Sequence, residues 1–244
     1  MLKAKWYFLG QIKYARAYEL QLWLSKQLKS DEEYCGYLLF LEHPPTITFG
    51  YSLKGDEGKS ELRADEKELA EKGVEIFYTD RGGKATYHGP GQLICYPIFK
   101  LNQLRLSSKR YVHRLEDVVI GWLREQGLNA ERDPAYPGVW VENRKIASVG
   151  VRIEDRISRH GFALNLNPDL SAFELIVPCG IQHRKMTSFF KETGKKIGYI
   201  EAIKGLLEHF RRIFQLELIK GDVSELENQG GADDNQRMAH SRAV

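Results

Sequence analysis

One short run constrains this chain more than any other: residues 81–93, RGGKATYHGPGQL, contain four glycines and one proline. The run lies between two apolar segments, residues 74–78 and 93–99, that are typical of buried strands. So many glycines require either a tight bend or a close approach of the backbone to another group. The run also carries hydrogen-bond donors, namely Arg81, Lys84, Thr86, Tyr87, His88 and Gln92. We therefore interpret it as a backbone-lined site for an acyl, carboxylate or phosphate group, with a long polar hairpin loop as the alternative.

The composition argues against several classes of protein. The 244 residues suffice for one large domain or for a large and a small one, and 42% of them are hydrophobic. A net charge of +3 is too small to indicate a nucleic-acid partner. Three widely separated cysteines match neither a disulfide framework nor a zinc site, which favours a reducing compartment. No apolar run reaches membrane-spanning length, so we expect a cytoplasmic enzyme with no metal, membrane or nucleic-acid partner.

Hydrophobic periodicity predicts an α/β fold of the α+β type, in which a mixed sheet is flanked by helices. Helices are expected at residues 15–28 and 62–72, from Ser107 or Ser108 to residue 126, and at 199–214. Further strands are expected at residues 35–41, 46–49, 138–141, 145–153, 161–166 and 216–219. Residues 51–60 are predicted to form a mobile loop.

The same patterns predict how the chain is divided. We expect a large catalytic lobe at residues 1–177 and a smaller C-terminal lobe at 178–221. The tail, residues 222–244, loses apolar side chains and gains Gly, Asn, Gln and Asp, so it is predicted to be disordered.

Cys179 and Lys145 are candidates for chemistry. Cys179 stands between Pro178 and Gly180, which suits a thiol presented to a pocket with a backbone N–H near a developing oxyanion. A buried, inert thiol is the alternative, and it is the interpretation that we favour for Cys35 and Cys95, which lie in predicted strands. Lys145 follows a predicted hairpin turn and would ordinarily be a solvated surface charge. If the fold brings Lys145 to Cys179, its ammonium favours the thiolate and its amine can move a proton.

Three histidines are alternative acid–base groups. They are His43, His88 and His160. His88 lies in the glycine-rich run, and His160 precedes a run of small and apolar residues that suits an alkyl channel or an ordinary buried strand.

The motifs, taken in order, resemble those of the lipoyl(octanoyl) transferase family of lipoate biosynthesis over about residues 35–190. They are EHPP at 42–45, RGG at 81–83, TYHGPGQ at 86–92, GVW at 138–140, KIASVG at 145–150, HGFALN at 160–165, Phe173, Ile176, PCG at 178–180 and TS at 187–188. No departure from the family pattern is found at these positions. The tail after about residue 220 lies outside the resemblance.

The resemblance implies a fold shared with biotin and lipoate protein ligases. It implies that Cys179 accepts the acyl group and that Lys145 is its acid–base partner. It assigns acyl binding to Arg81, Gly82, Gly83, Lys84, Ala85, Thr86, Tyr87, His88, Ser148, Val149, Gly150, Gly161, Phe162 and Ala163. The donor would be octanoyl-acyl carrier protein, and the acceptors would be lysines of the lipoyl domains of 2-oxoacid dehydrogenases and of glycine-cleavage H protein. No cofactor is expected, because a thioester is already activated, and we expect a monomer.

Three alternatives stay open at this stage. The first is an ATP-dependent lipoate or biotin protein ligase on the same fold, which needs no nucleophilic cysteine. The second is an octanoyl amidotransferase acting between lipoylated proteins, which would also use a cysteine thioester. The third is a module that binds the acyl carrier without catalysis.

Overall fold

The computed structural model describes residues 1–53, 58, 60–177, 185–227 and 229. Within them the strands are β1 (Leu2–Gln11), β2 (Tyr34–Glu42), β3 (Thr46–Phe49), β4 (Glu75–Tyr78), β5 (Ala85–His88), β6 (Gln92–Phe99), β7 (Ala130–Arg132), β8 (Gly138–Val141), β9 (Arg144–Glu154), β10 (Ile157–Asn165) and β11 (Leu216–Lys220). The helices are α1 (Tyr14–Ser30), α2 (Glu66–Glu71), α3 (Ser108–Glu125), α4 (Phe189–Thr193), α5 (Tyr199–Phe214) and α6 (Ser224–Glu227), with a 3-10 helix at Leu170–Leu175.

The strands form a large mixed sheet and a small one. In the described residues, the large sheet has the order β11-β1-β2-β6-β10-β9-β8-β7. β1 runs parallel to both β11 and β2, and the remaining neighbours are antiparallel. In the small sheet β3 lies centrally, parallel to β4 and antiparallel to β5.

Helices cover both faces of the large sheet because its central strands are apolar on both sides. On β2, Leu38 and Phe40 pack in the core beneath α3 and α5, whereas Leu39 and Leu41 pack beneath α1. This alternation follows from the two-residue period of a strand. Cys95 of β6 lies in the core beneath α3 and α5, and Cys35 of β2 is also buried there, as the packing interpretation predicted.

The bounds of several elements were predicted closely. β3 and α5 have the predicted bounds, and α3 begins after Ser107, whose hydroxyl accepts the Arg110 N–H. The predicted helix at residues 62–72 was too long. It starts at Glu66 because Asp65 caps it by accepting the Glu68 N–H, while Leu62 instead forms a bridge with Ile176.

The C-terminal part of the chain joins the main sheet. β11 extends the sheet beside β1, and α5 packs on α3. The predicted lobe boundary at residue 178 lies outside the described residues, so the division into lobes stays a prediction. Within residues 51–60, the predicted mobility of the loop also stays a prediction, because 54–57 and 59 lie outside the described residues.

The predicted disorder of residues 222–244 was wrong for the short helix α6. Leu226 is buried against the α1 face of the sheet, and Glu225 binds Lys5 at 3.0 Å and the Tyr7 hydroxyl at 2.8 Å. The Arg16 guanidinium also donates to the Leu226 carbonyl at 2.9 Å. These contacts order α6 in spite of its polar composition. Residues 228 and 230–244 lie outside the described residues.

A methyl group at Gly36 should destabilise the large sheet. A Cβ there would lie 2.0 Å from Cδ1 of Phe99 and 2.5 Å from the carbonyl oxygen of Ile98. Because overpacking of a core typically costs about 1–3 kcal/mol, Gly36→Ala should lower the free energy of unfolding by at least about 2 kcal/mol, as measured by urea denaturation. Gly198→Ala is the control, since a Cβ at Gly198 would meet nothing within 4 Å. Equal stability of the two variants would contradict the packing described here.

Candidate active site

A narrow cavity lies between the α1 face of the large sheet and the small sheet. It is lined by Tyr14, Arg81, Gly82, Gly83, Lys84, Thr86, His88, Tyr96, Ser148, Val149, Gly150, His160, Gly161, Phe162 and Ala163. Gly82, Gly83 and Lys84 are exposed and form its mouth, whereas Tyr14, His88, Tyr96 and His160 are buried and form its closed end. The glycine-rich run therefore borders a cavity, as the sequence predicted.

Backbone contacts that require glycine hold the run in place. The Gly82 N–H donates to the Val151 carbonyl of β9 at 3.0 Å, and the Gly50 N–H donates to the Lys84 carbonyl at 3.2 Å. A Cβ at Gly150 would lie 2.8 Å from the Gly82 carbonyl oxygen, and one at Gly50 would lie 2.1 Å from that of Gly83. Side chains at these positions would push the run away from β9 and open the cavity.

The Arg81 guanidinium is buried and holds the wall of the cavity. Its Nη2 donates to the Thr48 carbonyl at 2.5 Å and to the Thr48 Oγ1 at 2.8 Å, and its Nε donates to the same Oγ1 at 3.1 Å. Its Nη1 donates to the Gly82 carbonyl at 3.1 Å. These donors link β3 to the glycine-rich run.

Strand alternation separates the predicted acyl-binding residues of β5 into two sets. Thr86 and His88 line the cavity, but Ala85 and Tyr87 do not. They lie on the opposite face of the small sheet, where Tyr87 makes an edge contact with Phe173 of the 3-10 helix. These two residues lie away from the cavity because successive strand residues point to opposite faces, and their acyl-binding role stays a prediction.

The closed end is built from residues that are distant in sequence. Tyr14 comes from α1, Tyr96 from β6 and His160 from β10. The Tyr14 hydroxyl donates to Thr79 Oγ1 at 3.0 Å, and the Tyr96 hydroxyl lies 2.8 Å from Nε2 of His43. Sequence reasoning missed Tyr14 and Tyr96, since neither stands in a glycine-rich or otherwise distinctive context.

His160 is oriented by the partly buried carboxylate of Asp80. Its Nε2 lies 2.7 Å from Oδ1 of Asp80, and the other oxygen of Asp80 accepts from Arg159 at 2.6 Å. Burial alone would raise the pKa of Asp80, but the hydrogen bonds from His160 and Arg159 outweigh it and hold that pKa well below its usual range. Burial lowers the pKa of His160, against the opposing effect of Asp80.

Burial also keeps the other two candidate histidines neutral. It lowers the pKa of His43 to about 4. The pKa of His88 is lowered well below its usual value by burial and by the nearby His43, Arg81 and His160.

Lys145 is buried, contrary to the alternative of a solvated surface charge. Its side chain is only 3% exposed, and its Nζ lies 5.4 Å from the centre of the Trp140 ring. On β9 it precedes Ser148 and Gly150 of the cavity lining by three and five residues. Its backbone accepts the Thr187 N–H and donates to the Lys185 carbonyl, both at 2.9 Å.

Cys179 lies outside the described residues, which stop at Val177 and resume at Lys185. The chain is fixed on both sides of that gap. The Val177 N–H donates to the Glu61 carbonyl at 2.8 Å, and the Asn165 Nδ2 donates to the Thr187 carbonyl at 2.8 Å. Gln92 binds Asn165 at 2.9 Å, so hydrogen bonds connect the glycine-rich run to the segment after the gap.

Comparison with known proteins identifies the family. Residues 13–211 match the family model of the lipoyl protein ligase A/B catalytic domain. The chain belongs to this family. The expected resemblance is thereby confirmed.

This family member is similar to curated relatives named Octanoyltransferase. It is 44% identical to the Octanoyltransferase of Chloroflexus aurantiacus over 86% of this chain and 94% of that relative. It is 43% identical to the Octanoyltransferase of Rubrobacter xylanophilus, over 84% of this chain and 90% of that relative. The predicted class, an acyltransferase enzyme, is confirmed by the family and these relatives.

The fold class is confirmed by a solved structure. A bipartite lipoate protein ligase from Thermoplasma acidophilum superposes on this family member with a TM-score of 0.75 at 15% identity, over 94% of this chain and 91% of the other. Across the described residues, no helix is both long and apolar enough to cross a membrane.

The Asp80 carboxylate should stabilise the fold in a pH-dependent manner. Because its folded-state pKa lies below the unfolded value of about 3.9, this stabilisation is complete above that value and is lost as the pH falls towards the folded-state pKa. Asp80→Asn should therefore lower the free energy of unfolding by about 2 kcal/mol at pH 7 and by less at pH 3.5, measured by urea denaturation. Asp155→Asn, which removes an exposed carboxylate paired with Lys29, is the control. A deficit of equal size at both pH values would contradict this account.

Proposed function

We propose that this protein transfers an octanoyl group from octanoyl-acyl carrier protein to a lysine of a lipoyl domain or of glycine-cleavage H protein, through a thioester on Cys179. The names of the curated relatives support the activity. The observation that carries the proposal is the cavity between the two sheets, because Ser148, Val149 and Gly150 of its lining lie on the same strand as the buried Lys145.

The shape and lining of the cavity suit a slender acyl chain. Its volume is about 50 Å³, well below the roughly 300–1,000 Å³ of sites for drug-sized ligands. Ala163, which packs on the α1 face, supplies an apolar side chain, and the glycines at the mouth let a chain lie against the backbone. We infer that the residues of 81–88, 148–150 and 161–163 that line the cavity bind the acyl group.

The anchoring of the chain on either side of Cys179 supports its role as the nucleophile. Cys179 follows Val177 by two residues, a span of at most about 7 Å, and Val177 is hydrogen-bonded to Glu61. On the other side, Lys185 and Thr187 are bonded to the backbone of Lys145. The second anchor places the end of the segment that carries Cys179 beside Lys145, which supports their proposed pairing.

The proposed reaction has two steps. The Cys179 thiolate attacks the thioester carbonyl of the donor, backbone N–H groups stabilise the oxyanion, and the carrier leaves as a thiol. The amine of the acceptor lysine then attacks the Cys179 thioester, so that the amide forms and the thiolate is released. In the first step the Lys145 ammonium stabilises the Cys179 thiolate and then gives its proton to the departing carrier thiolate. The neutral amine that this leaves on Lys145 accepts the proton of the incoming lysine in the second step. No cofactor takes part, because the donor thioester is already activated.

An ATP-dependent ligase is the second candidate, since the solved lipoate ligase shares the fold. At 15% identity that likeness concerns the fold alone. A ligase needs no nucleophilic cysteine, so the Cys179 segment together with the relatives' names favours acyl transfer. An amidotransferase between lipoylated proteins would use the same thioester and would differ in its donor.

The protein should form a covalent octanoyl adduct without ATP. After mixing with octanoyl-acyl carrier protein, intact-protein mass spectrometry should detect one octanoyl group, and adding a lipoyl domain should discharge it. Cys179→Ala should form no adduct, whereas Cys95→Ala, which removes a thiol from the core, should still form it. Transfer that occurs only with ATP and free octanoate, and that survives Cys179→Ala, would identify a ligase instead.

Substitutions at Lys145 should separate the two steps. Lys145→Arg keeps a cation but cannot accept a proton, so the adduct should still form while its discharge onto a lipoyl domain slows by about 10²–10⁴-fold. Lys145→Ala should slow both steps. Lys185→Ala is the matched control, because the contacts described for Lys185 use its backbone and its side chain is exposed. Unimpaired discharge in Lys145→Arg would exclude Lys145 as the proton acceptor.

A further inference from the structure

The closed end of the cavity is polar, although a simple alkyl chain needs only apolar contacts there. Tyr14, His88, Tyr96 and His160 line it, and each is at most 6% exposed. His160 is 1% exposed, and its Nδ1 has no hydrogen-bond partner among the described residues. A buried polar atom that lines a cavity and has no partner marks a place where a ligand atom or a water molecule can bind.

The hydrogen bonds around three of these four side chains, His160, Tyr96 and Tyr14, leave acceptors rather than donors. His160 Nε2 faces the Asp80 carboxylate, which can only accept, so Nε2 carries the proton. Because burial lowers the pKa of His160, the ring is neutral near pH 7 and its Nδ1 is an acceptor.

The proton of the Tyr96 hydroxyl is likewise used in a hydrogen bond within the protein. His43 Nδ1 lies 2.7 Å from the Ile12 carbonyl and must donate to it, so the neutral Nε2 of His43 accepts from the Tyr96 hydroxyl. The Tyr14 hydroxyl donates to Thr79. These three side chains therefore offer lone pairs to the cavity, and a ligand group that matches them must donate a hydrogen bond.

The backbone around His160 is held in an unfavourable conformation. Its φ is 57°, in the left-handed region, although it lies within strand β10. Its N–H is held by Gln21 Oε1 at 2.6 Å, and its ring is stacked on Tyr18, with 5.6 Å between the ring centres. Non-glycine residues in this region cluster at functional sites, where the surrounding contacts maintain the strain.

We propose that the closed end is a hydrogen-bonding subsite for the far end of the acyl group, and that it accepts medium-chain acyl groups bearing a terminal hydroxyl, which donates to His160 Nδ1. This inference rests on the proposed function and extends its substrate class. With an unsubstituted chain, a water molecule occupies the same position. The transfer chemistry is unchanged, because the hydroxyl lies at the end of the chain opposite the reacting carbonyl.

Three acyl groups of equal heavy-atom count test the proposal. They are nonanoyl, 8-hydroxyoctanoyl and 7-methoxyheptanoyl, each attached to acyl carrier protein and supplied in pairs, with a lipoyl domain as acceptor. A purely apolar pocket would disfavour the hydroxyl relative to the methyl group by about 10²-fold. We expect the hydroxylated and nonanoyl groups to be transferred with kcat/KM values within about 5-fold of each other. The methoxy compound, which cannot donate, should be transferred at least 10-fold more slowly.

Variants of His160 test whether the selectivity between the hydroxylated and nonanoyl groups depends on the Nδ1 of His160. His160→Leu should lower the hydroxylated-to-nonanoyl ratio at least 10-fold. His160→Asn, which tolerates a positive φ, should also lower it. Because both donors compete in one tube, the ratio does not depend on how much of a variant is folded. His113→Leu, which changes an exposed histidine of α3, should leave the ratio unchanged.

The outcomes are distinct. A 10²-fold preference of the wild-type protein for nonanoyl, equal transfer of the methoxy and hydroxy compounds, or a ratio unaffected by His160→Leu would each overturn the subsite. Failure to transfer octanoyl itself from acyl carrier protein would instead overturn the proposed function.

Discussion

The cavity depends on one close contact between two sheets. The Gly82 N–H donates to the Val151 carbonyl, and the Gly82 carbonyl lies where a Cβ of Gly150 would stand. Because neither backbone carries a side chain there, the glycine-rich run can approach β9 and form a wall opposite β10. Arg81 maintains this arrangement, because its guanidinium donates hydrogen bonds to Thr48 in the central strand of the small sheet. Backbone atoms thus set the width of the cavity, and their positions vary less than those of side chains.

A second set of buried hydrogen bonds holds the chain beside Lys145. Gln92, at the start of β6, binds Asn165, at the end of β10, and Asn165 binds the Thr187 carbonyl beyond the Cys179 segment. Thr187 in turn is bonded to the backbone of Lys145. Buried amide side chains whose partners are all present rigidify their surroundings, because breaking one bond leaves a polar group unsatisfied. The same strands that form the cavity therefore also fix the ends of the segment that carries Cys179.

Sequence patterns predicted the elements whose periodicity is strong, such as α5 with its stripe of Ile203, Leu206 and Phe210. They missed β1, although Leu2, Ala4 and Trp6 alternate with polar residues, because no glycine or turn marks its start. β5 was missed because glycines surround it. The family motifs predicted most of the cavity lining, but not Tyr14 or Tyr96. The tertiary packing of α1 and β6 brings the side chains of Tyr14 and Tyr96 to the cavity, and no local sequence pattern predicts that packing.

The contacts of Arg81 and Lys84 help to decide between the acyl, carboxylate and phosphate groups that the glycine-rich run was predicted to bind. A phosphate cradle needs donors that point to an open space. Here the Arg81 guanidinium donates to Thr48 and to the Gly82 carbonyl, and Lys84 Nζ lies 3.1 Å from the Glu61 carboxylate. Both cations therefore stabilise the run and its neighbours. What the run offers to the cavity is glycine backbone, which suits the methylene groups of an acyl chain better than a polyphosphate. The contacts of Arg81 and Lys84 thus favour an acyl group over a phosphate as the group that the run was predicted to bind.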